Sequence, residues 1–376
     1  MLKRLTLHLE KNIDSILMIF ISSALVVGLF TLYSASGRNI ILVLNQLLYI
    51  GLGFILLWVT ARIHPKYYEK LALPIYILGL LLLFAVMFVG QSSHGAKRWL
   101  NLGAFKMQPS EIMRLAVPIA MAWYLSKREN KRHTIDYVIA SLFFILPVML
   151  IINQPDLGTG LLITASGFYI LFLAGLNWKF IVGGAIGLFS LAPIIWTHLH
   201  DYQKNRLLIL LDPSQDPLGS GYHTIQSSIA MGSGGLIGKG WLNGTQGQLD
   251  FLPERTTDFI FAVFSEEFGL LGNLLLLGLF ALIIGRSFMI ASQAKNTFTR
   301  LLAANIGLTF FTYIFINIAM VSGIMPVVGV PLPLISFGGT SMTIILISFG
   351  ILMSVHSHKE IVGSSDRKST RLNSSH

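Results

Sequence analysis

Residues 251–269 read FLPERTTDFIFAVFSEEFG and change in character at their middle. The stretch begins as a polar segment and turns at Asp258 into an apolar run that continues to about residue 284. Asp258 is therefore predicted to lie where water meets a membrane-spanning helix. Glu266 and Glu267 follow about 12–13 Å farther along that helix, at a rise of about 1.5 Å per residue. Because carboxylates are costly at that depth, these three acids are the first candidates for functional groups.

The composition of the whole chain is that of a membrane protein. Hydrophobic residues make up 53% of the 376 residues and charged residues only 12%, against about 25% charged residues in soluble domains. Many segments approach or reach the roughly 20 apolar residues that cross a bilayer. The sequence therefore predicts an all-α polytopic membrane protein with about ten transmembrane helices in one domain, residues 1–363. The predicted spans are 13–34, 40–61, 71–90, 108–126, 137–153, 157–176, 178–197, 258–285, 301–322 and 333–355.

Several other classes of site are disfavoured. The chain has no cysteine, which excludes disulfides and thiolate metal sites, and its histidines show no spacing typical of zinc ligands. The first apolar run is long enough to span the membrane and has no small-residue cleavage site, so no signal peptide is evident. The last residues, 364–376, are polar (SSDRKSTRLNSSH) and are predicted to be a disordered tail or a segment foreign to the protein.

Lys and Arg are distributed unevenly over the loops. If both termini are cytoplasmic, most of these residues lie inside, in agreement with the positive-inside rule. The formal charge of +10 therefore does not indicate a nucleic-acid partner. The outer basic residues concentrate in two loops, 91–107 and 198–257, and loops of this length are usually functional. Within the second loop, residues 224–231 are predicted to form a short helix at the membrane interface.

Asp258 admits two interpretations. A carboxylate at the mouth of a helix can take a proton from a hydroxyl group or hold a cation. It can equally be an N-cap or first-turn acid that stabilises the end of the helix. Thr256 and Thr257 are also capping residue types, so capping does not require Asp258 in particular.

A group of basic residues lies on the outer side. Fixed cations stabilise negative charge that develops on a phosphate leaving group, whereas the ordinary role of any single one is attraction to lipid headgroups. The residues of this group are Lys97, Arg98, Lys204, Arg206, Lys239 and Arg255.

Two acids stand at predicted helix ends. Glu111 and Arg114 are spaced i, i+3, which favours structural pairing over catalysis. Asp156 lies in the turn NQPDLGT (residues 153–159), where a helix cap is the favoured role. It is predicted to face the same side as Asp258, so the two could also share an outer cavity.

Two glycine-containing stretches complete the candidates. Residues 232–240 (GSGGLIGKG) could present backbone N–H groups to phosphate. They do not satisfy the Walker pattern, and tight turns are the favoured interpretation. Residues 323–341 contain three prolines and several glycines, which predicts a broken, re-entrant backbone that shapes a cavity. Pro326, Ser336, Gly338 and Gly339 are assigned to that role, together with Glu266 and Glu267 as cavity or structural acids.

Together these motifs resemble the SEDS family (shape, elongation, division and sporulation) over about residues 10–360. The sequences of the outer loops are more similar to the rod-shape branch of the family than to its division branch. The similarity is carried by KRWLNLG (97–103), QPSE (108–111), QPDLGTG (154–160), LDPSQDPLGSGYHTIQSSIAMGSGGLIGKG (211–240), GTQ (244–246) and residues 251–269. It is also carried by a C-terminal signature that runs from Asn317 through Gly323, Pro326 and Gly329 to SFGGTS (336–341).

The resemblance implies a peptidoglycan glycosyltransferase that polymerises lipid II into β-1,4 glycan on the outer face of the bacterial cytoplasmic (inner) membrane. The catalytic acid of the family falls on Asp258, with Arg98, Glu111, Asp156 and Lys239 as further sensitive positions. The implied partners are the lipid II substrate, membrane lipids, and a class B penicillin-binding protein within the rod-shape elongation complex. No cofactor is certain, and a divalent cation (Mg²⁺ or Mn²⁺) is left open.

Two other functions fit part of the sequence. A lipid II flippase would use the intramembrane acids, but it would be expected to carry polar residues on broken helices at the midplane. In this chain the polar groups gather on one outer side, which favours an enzyme at the membrane surface. A non-catalytic scaffold for the penicillin-binding protein is the third alternative, and it would not depend on Asp258.

Overall fold

The computed structural model describes residues 13–93, 96–101, 106–129, 132–198, 201–212, 216, 219–245, 252 and 254–372. Helices dominate this part of the chain, and a small antiparallel ribbon of strands lies in the first outer loop. The helices up to residue 198 are α1 (Ser15–Ala35), α2 (Ile40–Arg62), α3 (Pro65–Val89), α4 (Pro109–Ser126), α5 (Thr134–Ile152), α6 (Leu157–Leu173) and α7 (Trp178–His198). Those that follow are α8 (Asp201–Leu211), α9 (Ser220–Ser233), α10 (Ile260–Ser292), α11 (Thr297–Val321) and α12 (Gly339–Leu372).

The predicted all-α membrane fold is confirmed, and each of the ten predicted spans coincides with one long helix. Seven of the described helices are long and apolar enough to cross a membrane, and α6 falls just short with 17 residues. α4 is less apolar than these because it carries Glu111 and Arg114. The predicted short helix at 224–231 is part of α9.

Some predicted boundaries are wrong. α12 begins at Gly339 rather than at about residue 333. The prolines at 331 and 333 lack the backbone N–H that a helix needs, so the chain before Gly339 stays irregular. α3 begins at Pro65 rather than at about residue 71, since proline is well suited to the first helical position.

The C-terminal segment also differs from its prediction. α12 continues to Leu372, so residues 364–372, which were predicted to be a disordered tail or a segment foreign to the protein, are helical. Residues 373–376 lie outside the described residues. No proline follows Pro333, so no residue in this segment lacks the backbone donor that a helix requires.

The loop between α3 and α4 forms a ribbon of strands that was not predicted. β1 (Gln91–Ser93) pairs antiparallel with β2 (Ala96–Asn101), which pairs antiparallel with β3 (Lys106–Met107). Strands of two to six residues are too short to show a clear alternation of apolar and polar residues. The ribbon leads directly into α4.

Two helices form the centre of the bundle. α4 packs against α3, α5, α6 and α11, while α11 also contacts α6, α10 and α12. α12 lies along α2, and α10 lies along α1. Large apolar residues on the outer helices remain exposed, as expected for side chains that face lipid. Polar groups at membrane depth must therefore find partners inside the bundle.

A kink divides α10. Gly269 has φ 64° and ψ −163°, in the left-handed region that glycine adopts without a steric penalty. The backbone N–H groups of Lys239 and Gly240 donate to the carbonyls of Glu266 and Glu267 at 3.0 and 2.9 Å. Residues 232–245, called here the glycine loop, thus supply donors to carbonyls that the kink removes from the helical ladder.

The glycine loop also accepts hydrogen bonds from the same kink. The N–H groups of Leu270 and Leu271 donate to the carbonyls of Gly235 and Leu236 at 2.9 and 3.0 Å. A Cβ atom added at Gly238 would lie 2.1 Å from the carbonyl oxygen of Glu267. The glycines are therefore required by close backbone approach, which confirms the structural interpretation of this loop.

Candidate functional site

The loop before α10 is fixed by the irregular segment before α12. Residues 254–259 are called here the Asp258 loop, and residues 322–338 the re-entrant segment. The N–H of Phe337 donates to the carbonyl of Thr256 at 2.9 Å, and Ser336 Oγ donates to the carbonyl of Thr257 at 2.7 Å. Within the re-entrant segment, Val330 and residues 332–336 are buried and most of the others are partly buried, which agrees with the predicted irregular backbone that shapes a cavity.

Asn317 on α11 joins the two segments at one point. Its Nδ2 donates to the backbone carbonyl of Asp258 at 2.8 Å and to that of Val330 at 2.7 Å. Asn317 is fully buried, so this contact fixes the backbone of Asp258 in the interior. Asn317 begins the C-terminal signature of the family resemblance, but no role was predicted for it, because its partner Asp258 lies 59 positions away in the chain.

Gln46 on α2 holds the end of the re-entrant segment. Its Nε2 donates to the carbonyl of Ser336 at 3.1 Å, and its Oε1 accepts from the N–H of Gly338 at 3.3 Å. A Cβ atom added at Gly339 would lie 2.8 Å from the ring of Tyr49. The predicted shaping role of Ser336, Gly338 and Gly339 agrees with these contacts. Pro326 lies partly buried in the same segment.

Asp258 is not a helix cap. The residue at the N-cap of α10 is Phe259, and no side-chain capping hydrogen bond is made there. The capping interpretation of Asp258 is therefore wrong, because the chain reaches the helix one residue later. The Asp258 carboxylate instead lies beside Gly329, where an added Cβ atom would be 3.5 Å from Oδ2.

The electrostatic surroundings of Asp258 favour a proton acceptor. Its pKa is raised to about 6, chiefly by burial and then by the charge of Glu254, while Arg206 opposes the rise. The carboxylate receives no hydrogen bond from the residues that the structure describes. A carboxyl group with a pKa near 6 is ionised at neutral pH and still basic enough to accept a proton.

His223 on α9 lies next to this loop and was not singled out from the sequence. Its ring centroid is 5.8 Å from that of Phe259. Burial lowers the pKa of His223, and the charges of Glu254 and Asp216 act in the opposite direction. The only sequence signal for His223 was its place in the motif of residues 211–240.

Glu111 and Arg114 form a buried ion pair, as the structural interpretation predicted. Arg114 Nη1 lies 2.7 Å from Glu111 Oε2, and Arg114 Nη2 donates to Thr159 Oγ1 at 2.8 Å. Ser341 Oγ donates to Glu111 Oε1 at 2.9 Å. The Glu111 side chain therefore has its charge and both of its oxygens engaged within the bundle.

Asp156 caps α6, which confirms the structural alternative for this residue. Its Oδ1 accepts from the N–H of Thr159 at 3.2 Å, and its Oδ2 accepts from Gln108 Nε2 at 2.8 Å. Arg98 fixes the same turn: its Nε donates to the carbonyl of Gln154 at 3.2 Å, and its Nη2 donates to that of Pro155. Arg98 remains partly exposed.

The turn before α6 and the Asp258 loop lie on two sides of the re-entrant segment. A Cβ atom added at Gly158 would lie 2.7 Å from the carbonyl oxygen of Val328, whereas Gly329 faces Asp258. Residues 328–330 therefore separate Asp156 from Asp258. The structure brings both acids to the same end of the bundle, around one segment of backbone.

Lys239, predicted to bind a leaving group, is engaged with a buried acid. Its Nζ lies 2.7 Å from Glu266 Oε1 and 2.9 Å from Thr245 Oγ1. Glu266 is fully buried and also accepts from the Thr245 N–H at 2.8 Å. This geometry favours a structural role for Lys239, because a buried carboxylate needs a compensating charge. Glu267, likewise buried, accepts a hydrogen bond from Ser34 Oγ.

The remaining predicted basic residues lie on the loops that the sequence predicts to be extracytoplasmic. Lys204 and Arg206 belong to α8 and are partly exposed. Arg255 lies beside Gly37, at which an added Cβ atom would be 3.9 Å from the Arg255 Nη2. Lys97 lies on β2, and its side chain is outside the described part. Among the described residues, no three His, Asp or Glu side chains converge as metal ligands would.

Comparison with known proteins identifies close relatives. The profile of the FtsW/RodA/SpoVE family, described as cell cycle protein, matches residues 12–361. The peptidoglycan glycosyltransferase MrdB of Escherichia coli (strain K12) is 46% identical over 355 residues, which cover 94% of this chain and 96% of the relative. The MrdB of Helicobacter pylori (strain J99) is 36% identical over 376 residues, which cover 98% and 95%.

Solved structures give the same result. A chain from a study of how a peptidoglycan synthase complex coordinates polymerization and crosslinking superposes with a TM-score of 0.81 at 31% identity. This match covers 92% of the present chain and 98% of the other. The rod shape determining protein RodA of Thermus thermophilus superposes with a TM-score of 0.70 at 29% identity, covering 92% and 97%.

Proposed function

The chain belongs to the FtsW/RodA/SpoVE family and is a peptidoglycan glycosyltransferase, and we propose that Asp258 is the general base of its reaction. The observation that carries this proposal is the place of the Asp258 carboxylate. It lies at the outer end of α10, is held through its backbone by Asn317, and has a pKa raised to about 6. Its substrate is lipid II, the undecaprenyl-diphosphate-linked disaccharide-pentapeptide.

The reaction transfers a glycan chain from diphosphate to a sugar hydroxyl. The Asp258 carboxylate accepts the proton of the acceptor 4-hydroxyl, and that oxygen forms a bond to the anomeric carbon of the donor. The bond between this carbon and the diphosphate oxygen breaks, and undecaprenyl diphosphate departs with the electron pair. Attack on the side opposite the leaving group converts the α-linked donor into a β-1,4 glycan.

Outer basic residues stabilise the departing diphosphate. Arg206 is the strongest candidate, because its charge already acts on Asp258 in the free protein. Fixed cations near the leaving oxygen lower the barrier without having to reorganise during the reaction. The other candidates for this role are Lys97, Arg98, Lys204 and Arg255.

Glu111, Asp156 and Lys239 act on the reaction through other residues. Each is engaged with an internal partner: Glu111 with Arg114, Asp156 with Gln108, and Lys239 with Glu266. We assign them positioning roles, in which they hold the turn before α6 and the kink of α10 in place around the site. These contacts weaken the flippase alternative, because Glu266 is paired with Lys239 Nζ at 2.7 Å rather than facing a path for a transported lipid.

The protein resides in the bacterial cytoplasmic membrane with both termini inside and Asp258 outside. The distribution of Lys and Arg supports this orientation. The Asp258 end of α10 carries the predicted site, while the opposite end of α10 carries Arg286, which pairs with Asp14 at the start of α1. The likeness to a chain of a peptidoglycan synthase complex supports a class B penicillin-binding protein as partner, within the rod-shape elongation machinery.

The test is polymerisation of lipid II by the purified protein with its penicillin-binding partner, whose transpeptidase site is inactivated. We expect Asp258→Asn to lower the rate about 10²- to 10⁴-fold, which is the usual contribution of a general base. Glu254→Gln is the matched control, since it removes a neighbouring carboxylate in the same loop. It should keep the rate within about tenfold of that of the unmodified protein, a smaller loss than removal of a general base causes.

Equal polymerisation by Asp258→Asn in an intact complex would remove Asp258 as the base. If that variant polymerised normally but failed to translocate lipid II, the flippase function would be favoured. If the unmodified complex made no glycan, and cells carrying Asp258→Asn still elongated, the protein would be a scaffold.

A further inference from the structure

A small cavity lies in the middle of the bundle, away from the Asp258 loop. Its volume is about 40 Å³, and it is lined by residues of α4, α11 and α12. Most of the lining is apolar, but Arg114, Asn305, Thr309, Tyr313 and Ser348 also contribute to it. The Ser348 hydroxyl donates to the Ile344 carbonyl of its own helix at 2.9 Å. A cavity lined only by apolar atoms can stay dry. The polar atoms in the lining of this cavity therefore decide what it holds.

Three buried polar atoms of this lining have no hydrogen-bond partner among the described residues. They are Arg114 Nε, Asn305 Oδ1 and Thr309 Oγ1. Buried polar groups in native proteins are almost always satisfied, and ordered water serves where the protein offers no partner. Three such atoms around one cavity are therefore strong evidence that something polar occupies it.

Two of these atoms, Arg114 Nε and Asn305 Oδ1, are held in place by the other hydrogen bonds of their side chains. Arg114 uses Nη1 for Glu111 and Nη2 for Thr159. Asn305 uses Nδ2 for Ser166 Oγ at 3.0 Å and is 1% exposed. Neither side chain can turn its unpaired atom elsewhere without breaking a buried hydrogen bond.

The chemistry of the three atoms selects a neutral ligand. Arg114 Nε–H is a donor, Asn305 Oδ1 is an acceptor, and the Thr309 hydroxyl is both. The charge of Arg114 is already balanced by Glu111 at 2.7 Å, so neither an anion nor a cation is required. One water needs about 10–15 Å³ of such volume, so the cavity of about 40 Å³ has room for up to about three.

We propose that this cavity is a binding site for about one to three ordered water molecules, which join α4 to α11 through Arg114, Asn305 and Thr309. The waters complete the hydrogen bonding of a guanidinium group that also holds Glu111, Thr159 and Ser341. They therefore act as positioning elements beneath the turn of Asp156. The proposal does not depend on the role of Asp258.

The sign of one stability change tests the proposal. Thr309→Val keeps the shape of the side chain and removes its hydroxyl. In a hydrated cavity the waters lose a partner, and we expect the Tm of the purified full chain to fall by about 2–4 °C. In a dry cavity the same change removes an unpaired buried hydroxyl, so the Tm would rise.

Thr343→Val is the matched control. The Thr343 hydroxyl donates to the Gly339 carbonyl of its own helix at 2.7 Å and does not line the cavity. A fall in Tm for Thr309→Val beyond that of Thr343→Val supports the hydrated site, and an equal or smaller fall overturns it.

Density at high resolution gives a second readout. Ordered water within hydrogen-bond distance of Arg114 Nε and Asn305 Oδ1 is expected, whereas a dry or collapsed cavity would refute the proposal.

Discussion

At the scale of single residues, Asp258, which is partly exposed, differs from the buried acids in what its carboxylate touches. Asp14 pairs with Arg286, Glu111 with Arg114, and Glu266 with Lys239. Among the described residues, none donates a hydrogen bond to the Asp258 carboxylate. An acid that is buried without a fixed donor has a raised pKa and is available to a substrate.

The sequence singled out Asp258 and the pair of Glu111 with Arg114, but not the contacts between distant parts of the chain. Asp258 is visible in the sequence because a polar loop changes to an apolar helix at that point. The pairing of Glu111 and Arg114 was also readable, since both lie on one helix turn. By contrast, Arg114 meets Ser341 across 227 positions of the chain, and no local pattern encodes such a contact.

The role of Lys239 can be tested by removing one or both members of its ion pair. Lys239→Met leaves Glu266 buried without its cation, so we expect a loss of about 2–3 kcal/mol. This lies below the range for fully buried pairs because the Lys239 side chain is 30% exposed. The double variant Lys239→Met/Glu266→Gln should recover most of that stability in thermal unfolding. Unchanged stability with lost polymerisation would instead give Lys239 a direct role at the diphosphate.

At the scale of elements, the kink of α10 and the glycine loop form one unit. The sequence predicted tight turns in the glycine loop from its composition. It could not predict that the loop bonds to the carbonyls of Glu266 and Glu267, because the irregular φ of Gly269 does not show in an apolar helix pattern. The start of α12 was predicted wrongly for a related reason. Pro331 and Pro333 keep the chain irregular before Gly339, and contacts with distant residues such as Gln46 hold that segment.

Two glycines of α10 provide a matched test of this unit. Gly269→Ala places a Cβ atom about 2.3 Å from the backbone nitrogen of Gly238 at a positive φ, so we expect a loss of about 2 kcal/mol or more. Gly278 lies in the same helix with open space around it, and Gly278→Ala should raise stability by about 0.5–1 kcal/mol. Thermal unfolding of both variants is the measurement, and a harmless Gly269→Ala would contradict the account of the kink.

At the scale of the whole molecule, hydropathy predicted the fold with little ambiguity. In a bilayer a long apolar segment must satisfy its own backbone hydrogen bonds, which a helix does. Each predicted span accordingly corresponds to one observed helix. The central position of α4 and α11 was not predicted, because burial within a bundle depends on the packing of all its helices. Several of their polar residues have partners on neighbouring helices, as Arg114 does in Thr159 and Asn305 in Ser166.

The orientation of the bundle is testable because the chain has no cysteine. Asn243 in the glycine loop and Ser292 at the end of α10 are both exposed and lie at opposite ends of the bundle. A membrane-impermeant maleimide should label Asn243→Cys in intact spheroplasts and label Ser292→Cys only after permeabilisation. The reverse pattern would place Asp258 on the cytoplasmic side and contradict the proposed site of polymerisation.

The central claim, that Asp258 is the base, is tested most directly by the pH dependence of kcat/KM for lipid II polymerisation. A base acts when ionised, so the rate should rise with pH up to a plateau, with a midpoint near the Asp258 pKa of about 6. Glu254→Gln removes a negative charge and should move the midpoint to lower pH. Arg206→Gln removes a positive charge and should move it to higher pH. A midpoint that stays the same in all three proteins would contradict the assignment of Asp258.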